Sequence, residues 1–114
     1  MTSASKKPLP PKLTSKQASY LRGLAHSLDP VVRLGKGGIT DGALAEVARA
    51  LEAHELIKVR LEREADIETS ELTEAAQSIG AAVAGHVGRV FILYRRHPKK
   101  PKIELPRAAK ASAP

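Results

Sequence analysis

Cysteine and tryptophan are absent from this 114-residue chain, and its aromatic residues are one Phe and two Tyr. The absence of cysteine excludes a disulfide framework and a thiolate metal site, which fits the reducing cytoplasm. Aliphatic residues must then build the core, and stacking on aromatic rings can contribute little to ligand binding. No apolar run approaches the ~20 residues that span a bilayer, and the first residues include no apolar signal region, so we expect a cytoplasmic protein without a membrane partner.

Patterns that carry catalysis or metal binding are missing as well. The four histidines are scattered without an i, i+4 pair, and no serine lies in a nucleophile elbow. The acidic residues of segment 62–74 surround a predicted strand end and helix turn, where a solvated face is the simplest interpretation. We therefore predict that the protein is not an enzyme and has no catalytic residue, metal site, cofactor or small-molecule substrate.

The charge that is present is segregated along the chain. Residues 1–40 carry seven Lys/Arg and one acid, residues 41–84 carry four Lys/Arg and ten acids, and residues 85–114 carry eight Lys/Arg and one acid. A polyanion should therefore meet the two ends of the chain rather than its middle. Lysine-rich tails can also serve solubility alone, and the tails by themselves do not separate the two interpretations.

Composition also divides the chain into a domain and two arms. Residues 1–12 and 106–114 are rich in Pro, Ala, Ser and Lys, which predicts disordered arms, the first of them basic. Residues 13–105 are expected to form one folded domain, because a chain of this length supports a single core. We expect this domain to be a monomer.

Cap and turn residues mark seven elements within the domain. Thr14 and Gln17 are spaced as a capping box, which predicts a helix whose apolar stripe runs to Leu28 before Asp29-Pro30 ends it. Residues 31–34 are a β-branched run that predicts a buried strand. Thr40 can cap a second helix, and the alternating sequence LIKVRL at 56–61 predicts a second strand.

The remaining elements complete an α/β fold. A third helix is predicted around residues 68–79 and stops at Gly80, while Gly88-Arg89 suits a tight hairpin between two final strands. Tyr94 ends the last strand, where its ring could stack on a base or pack at the rim. The order α-β-α-β-α-β-β predicts a four-stranded mixed sheet with packed helices, in which the first two strands are parallel.

A glycine-rich loop, "RLGKGGIT" at residues 33–40, joins the first strand to the second helix. Its spacing lacks the third glycine of G-x-G-x-x-G and the Gly-Lys-Ser/Thr of a P-loop, which argues against a nucleotide-binding enzyme. What remains is G-x-x-G with a basic residue, the pattern with which KH modules clamp about four nucleotides of RNA. The glycines could equally serve only to turn the chain. The candidate RNA-contact residues are Gly35, Lys36, Gly37, Gly38, Arg33, Lys16, Arg22, Arg95 and Arg96.

Several motifs in combination resemble the single-domain bacterial members of the CRM family, an RNA-binding domain named for chloroplast RNA splicing and ribosome maturation. They are "LRGLAH", P-V-V-x-L-G, the G-x-x-G loop, "ALEAHELIKV", a hairpin ending in "LYR" and I-x-L-P, and together they span about residues 13–106. The resemblance implies a fold similar to the C-terminal domain of a bacterial translation initiation factor. It also implies RNA binding through the G-x-x-G loop and association with precursors of the large ribosomal subunit.

Two other functions remain open at this stage. A basic module associated with DNA as well as RNA would have the same charge pattern. Alternatively, the acidic middle segment, including Glu64, Asp66 and Glu68, could dock on a basic ribosomal protein and make the chain an interaction adaptor.

Overall fold

The computed structural model describes residues 11–106. Nearly all of the two predicted arms, at residues 1–10 and 107–114, therefore lies outside the described residues. The elements are α1 (Ser15–Ala25), β1 (Pro30–Leu34), α2 (Asp41–His54), β2 (Leu56–Leu61), α3 (Thr69–Ser78), β3 (Ala82–Val87) and β4 (Val90–Tyr94). This is the predicted order, and within the described residues no helix has the length and apolar character needed to cross a membrane.

The strands form one mixed sheet in the order β1-β2-β4-β3. As predicted, β1 and β2 are parallel, while β4 is antiparallel to both of its neighbours. The sheet therefore has two ends that different connections occupy. We call the end of the sheet at which β1 and β2 finish the "loop edge". We call the opposite end, at which β1 and β2 begin and β4 finishes, the "strap edge".

Helices cover the two faces of the sheet unequally. One face carries α2 and α3 over a core that includes Leu51, Leu72 and Val59. The other carries only α1, whose Leu21 packs in a smaller cluster that also includes Tyr94. Part of this second face stays open, because one short helix cannot cover four strands.

The prediction that residues 31–34 form a buried strand is wrong about burial, because one side of this strand lies on the open face. Val32 and Leu34 point into the core, whereas Val31 is 48% exposed. Val87 at the far end of β3 is 74% exposed. Strand β1 lies at the edge of the sheet and is covered on one side only, so its residues alternate between core and solvent.

Helix α1 begins as predicted but ends a turn early. The backbone N–H of Gln17 donates to Oγ1 of Thr14, and the N–H of Thr14 donates to Oε1 of Gln17, both at 3.1 Å, which confirms the capping box. The helix stops at Ala25, and Leu28 is 38% exposed rather than part of the buried stripe. The ammonium of Lys58 donates to the carbonyl of Leu28 at 2.9 Å, so a strand side chain supplies the hydrogen bond that this carbonyl does not make within a helix.

Two glycine turns confirm the remaining boundaries. Gly80, just beyond α3, has φ +80°, the left-handed conformation expected after a helix. Gly88, with φ +59°, lies in the turn that joins β3 to β4. The next residue, Arg89, donates from its guanidinium to the carbonyls of Leu61 and Glu62 at 3.1 and 2.7 Å. The hairpin is thereby attached to the end of β2 at the loop edge.

Candidate nucleic-acid interface

The glycine loop, residues 35–38, is a closed turn at the loop edge. The N–H of Gly38 donates to the carbonyl of Gly35 at 2.9 Å, which leaves Lys36 and Gly37 exposed at the tip. Gly38 has φ +73°, a conformation that favours glycine. Helix α2 begins immediately afterwards, and Oγ1 of its cap residue Thr40 accepts from the N–H of Ala43 at 3.0 Å. The loop therefore presents bare backbone beside a lysine and a helix N-terminus, which is positive in potential.

The fold requires glycine at only one of the three positions of this loop. A Cβ on Gly35 would meet no atom within 4 Å, and one on Gly37 would touch only the methyl of Thr40 at an ordinary 3.7 Å. Neither residue has a left-handed φ. Turning the chain therefore explains Gly38 but leaves Gly35 and Gly37 without an internal reason.

Basic side chains continue from the loop onto the open sheet face. Arg33 of β1 is in register with Arg60 of β2, so both project from the same face beside each other. Nη1 of Arg33 pairs with Oε2 of Glu62 at 3.2 Å, while Arg60 is exposed. Arg60 was not among the predicted contact residues. The alternation in LIKVRL together with the predicted parallel pairing is the signal that could have identified it.

Two predicted residues lie on α1, away from the loop. Lys16 is exposed in the first turn of the helix. Nη1 of Arg22 donates to the carbonyl of Ala84 at 2.8 Å, and its side chain lies over Gly85, where a Cβ would come within 2.6 Å of Arg22 Cδ. Arg22 therefore fastens the helix to β3, a structural role that the sequence did not reveal.

The last two predicted residues, Arg95 and Arg96, lie at the strap edge. They follow β4 and are separated from the loop edge by the length of β2, six residues or about 17 Å at the usual rise of a strand. Nη1 of Arg95 donates to the carbonyl of Ile79 at 3.1 Å, at the C-terminus of α3, where a positive charge is favourable. Arg96 is exposed. The structure does not bring this pair to the glycine loop.

A buried carboxylate organises the strap edge. Glu55, the residue after α2, is 1% exposed. Its Oε2 accepts from the N–H of His97 at 2.8 Å, and its Oε1 accepts from the N–H groups of Lys102 and Ile103 at 2.9 and 2.8 Å. We call residues 95–106, which Glu55 holds in this way, the strap. Nothing in the sequence singles out Glu55 from the other acids of the middle segment.

Tyr94 belongs to the core beneath the strap. It is 1% exposed, so it neither stacks on a base nor packs at the rim, and the sequence-based expectation for its ring was wrong. Burial, reinforced by the negative charge of Glu55, raises the pKa of the Tyr94 hydroxyl, although the charge of Arg96 opposes this. The phenol is therefore neutral at physiological pH.

Two acids of the middle segment have hydrogen-bond partners at the surface. Glu62 pairs with Arg33, and Oε1 of Glu71 accepts from the N–H of Glu68 at 2.9 Å at the start of α3. Within residues 11–106, no three His, Asp or Glu side chains come together as metal ligands would. The adaptor and metal predictions stay predictions.

The geometry defines a small α/β domain with cations at opposite ends of one sheet. The CRS1 / YhbY (CRM) domain matches residues 13–95 of the chain. The chain therefore belongs to the CRS1 / YhbY (CRM) domain family, as its motifs indicated.

Curated relatives and a solved structure agree with this assignment. The chain is 46% identical to an "RNA-binding protein" of Haemophilus influenzae over 97 residues, covering 83% of this chain and 96% of the relative. It is 36% identical to the "Probable RNA-binding protein YqeI" of Bacillus subtilis over 95 residues, covering 82% and 99%. The solution structure of the hypothetical protein SAV1595 from Staphylococcus aureus matches with a TM-score of 0.65 at 33% identity, covering 83% of this chain and all of that one.

Proposed function

We propose that this protein is a non-enzymatic RNA-binding protein that holds the RNA backbone at its loop edge and associates with precursors of the large ribosomal subunit. The observation that carries the first part is the bare glycine loop. Gly35 and Gly37 are glycine although neither their backbone conformation nor any neighbouring side chain requires it. A ligand that must approach the main chain closely supplies the missing reason.

The charge around the loop selects a phosphate backbone as that ligand. Lys36 at the tip and Arg60 on the open face are exposed, and Arg33 lies between them with one acidic partner. The N-terminus of α2 adds the positive end of its dipole at the same place, partly offset by Asp41 in the first turn. Such a surface recognises phosphates and strand shape rather than base edges.

Reversing the charge of Lys36 tests the proposed contact. We expect Lys36→Glu to weaken RNA binding about tenfold and to lower the salt slope of log affinity by about one unit, because one phosphate fewer is neutralised. Arg49→Glu, an equal charge change at an exposed position of α2, is the control and should have a much smaller effect. Equal effects of the two variants would contradict a contact at the loop, and circular dichroism would establish that both are folded.

The ribosomal part of the proposal follows the resemblance to single-domain bacterial CRM proteins and the RNA-binding names of the relatives. Crosslinking in cells followed by sequencing of the attached RNA should recover RNA of the large subunit. Recovery without ribosomal RNA would reject this role. Competition between structured RNA and duplex DNA at matched salt tests the alternative of a general nucleic-acid module. Such a module would bind the two competitors with equal affinity.

A further inference from the structure

The strap has a fixed shape because one carboxylate holds it at two separate points. The side chain of Glu55 accepts from His97 at the start of the strap and from Lys102 and Ile103 near its end, while its own carbonyl accepts from the N–H of Arg95 at 2.9 Å. Within the strap, Nδ1 of His97 accepts from the N–H groups of the residues at 99 and 100, at 3.1 and 2.9 Å. Residues 98–102, three of which are lysines, are thereby closed into a loop.

The backbone of Glu55 indicates that this arrangement has a conformational cost. Its φ of +66° with a ψ of −43° is a conformation that residues with a Cβ rarely adopt, and it costs about 1–3 kcal/mol. Among the described non-glycine residues it is the only one with a positive φ. Glycine at this position would relieve the strain but would leave the strap without its acceptor.

The strap is also fastened beyond the carboxylate. Ile103 and Leu105 pack against the cluster beneath α1, and Nε2 of Gln17 donates to the carbonyl of Pro106 at 2.8 Å. Pro98 and Pro101 further restrict the chain between these points. The folded domain has therefore already ordered this segment, and a ligand that binds there need not do so.

The ordered strap displays a cluster of cations. Arg96, Lys99, Lys100 and Lys102 are all exposed. Lys102 reaches the carbonyl of Ala53 at 3.4 Å, whereas the side chains of the other three make no hydrogen bond or ion pair with the described part of the chain. A groove of about 570 Å³ is lined by Arg96 and Lys102, and by one acid, Glu104. Three cationic side chains that have no partner and extend from an ordered backbone form a surface that attracts phosphates.

We propose that the strap is a second phosphate-binding site, which binds a segment of RNA backbone separate from the one at the glycine loop. This proposal rests on the proposed RNA-binding function. The two sites lie at opposite edges of the sheet, about 17 Å apart along the six residues of β2. One molecule then holds two RNA segments together, with the rigid sheet fixing the distance between them.

The first experiment removes the charges of the strap but not its shape. In the triple variant Arg96→Ser, Lys99→Ser, Lys100→Ser, every hydrogen bond to Glu55 and His97 comes from the backbone and can persist. We expect the salt slope of RNA binding to fall by about two to three units, at about 0.7–0.9 for each phosphate that the variant no longer neutralises. The charge-preserving variant Arg96→Lys, Lys99→Arg, Lys100→Arg is the control and should bind like the wild type.

The second experiment measures bridging directly. Two short RNA duplexes labelled with a donor and an acceptor dye should show energy transfer when the wild-type protein is added, with sedimentation used to verify that the protein is monomeric. The triple serine variant and Lys36→Glu should each abolish this transfer while retaining binding to a single duplex. Weaker binding of the strap variant with no bridging by the wild type would mean one continuous site and would overturn the proposal.

The Glu55→Gln variant separates shape from charge. Removing a negative charge beside the strap should strengthen RNA binding if net charge alone decides, whereas loss of an acceptor should weaken it about three- to tenfold if the ordered loop decides. We expect the weaker binding.

Wild-type affinity and salt slope in the triple serine variant would reject the strap site alone, provided that Lys36→Glu still weakens binding. If Lys36→Glu has no effect either, the proposed RNA-binding function fails as well.

Discussion

The two basic edges of the sheet are built in opposite ways. At the loop edge, glycines remove side chains and leave exposed backbone around Lys36. At the strap edge, the buried carboxylate of Glu55 gathers backbone N–H groups and leaves charged side chains exposed. The first surface suits close approach to a backbone, and the second suits attraction at the reach of a long side chain. Substitution of the exposed Gly35 should therefore change binding without changing stability, whereas substitution of Glu55 should change both.

The largest expected effect on stability is at Glu55. Glu55→Ala leaves three backbone N–H groups without their acceptor, and we expect the free energy of unfolding to fall by about 2–4 kcal/mol. Urea denaturation measures the loss. Glu52→Ala, at an exposed position in the last turn of α2, is the control and should change stability by less than about 0.5 kcal/mol. Equal stability of the two variants would show that the carboxylate does not hold the strap.

Glycine substitutions in the loop should have intermediate effects that differ in kind. Gly38→Ala places a Cβ at φ +73° and should cost about 1–2 kcal/mol of stability. Gly35→Ala has open space for its methyl and should leave stability nearly unchanged, yet it should weaken RNA binding because the methyl lies where the backbone of the ligand would approach. Urea denaturation and RNA titration of both variants check this. Unchanged RNA affinity in Gly35→Ala would contradict a close approach of the RNA backbone at this position.

The sequence predicted the caps, turns and glycine loop better than it predicted the strap, for a physical reason. The capping box at Thr14, the cap at Thr40 and the left-handed Gly80 depend on neighbours within a few residues, and all three are confirmed. The glycine loop is equally local, because strand, loop and helix follow each other along the chain. Patterns of this range are visible in a single sequence.

The strap depends instead on contacts between distant residues. Glu55 reaches residues more than 40 positions away, and Arg22 is fixed over β3 by a bond to Ala84 62 positions away. The same limit explains why the sequence did not predict the early end of α1. The carbonyl of Leu28, beyond that end, accepts from Lys58, which lies on β2. Charge counts could place cations near both ends of the chain but could not tell that Arg95 would cap a helix while Arg96 stays exposed.

The smallest expected effect concerns the ion pair at the loop edge. The side chains of Arg33 and Glu62 are 58% and 32% exposed, so their pairing should contribute no more than about 0.5 kcal/mol to stability. Glu62→Gln should therefore unfold like the wild type. RNA binding should strengthen about two- to threefold, because Arg33 no longer shares its charge with a carboxylate and becomes available to phosphate.

A matched substitution decides whether that gain belongs to Arg33. Glu46→Gln makes the same charge change at an exposed position of α2, for which no ion pair is formed within residues 11–106. RNA titrations at two salt concentrations should give a larger gain for Glu62→Gln, and the difference should shrink at high salt as screening weakens the attraction. Equal gains would attribute the effect to net charge, and the functional part of the loop edge would then narrow to Lys36, Arg60 and the exposed glycine backbone.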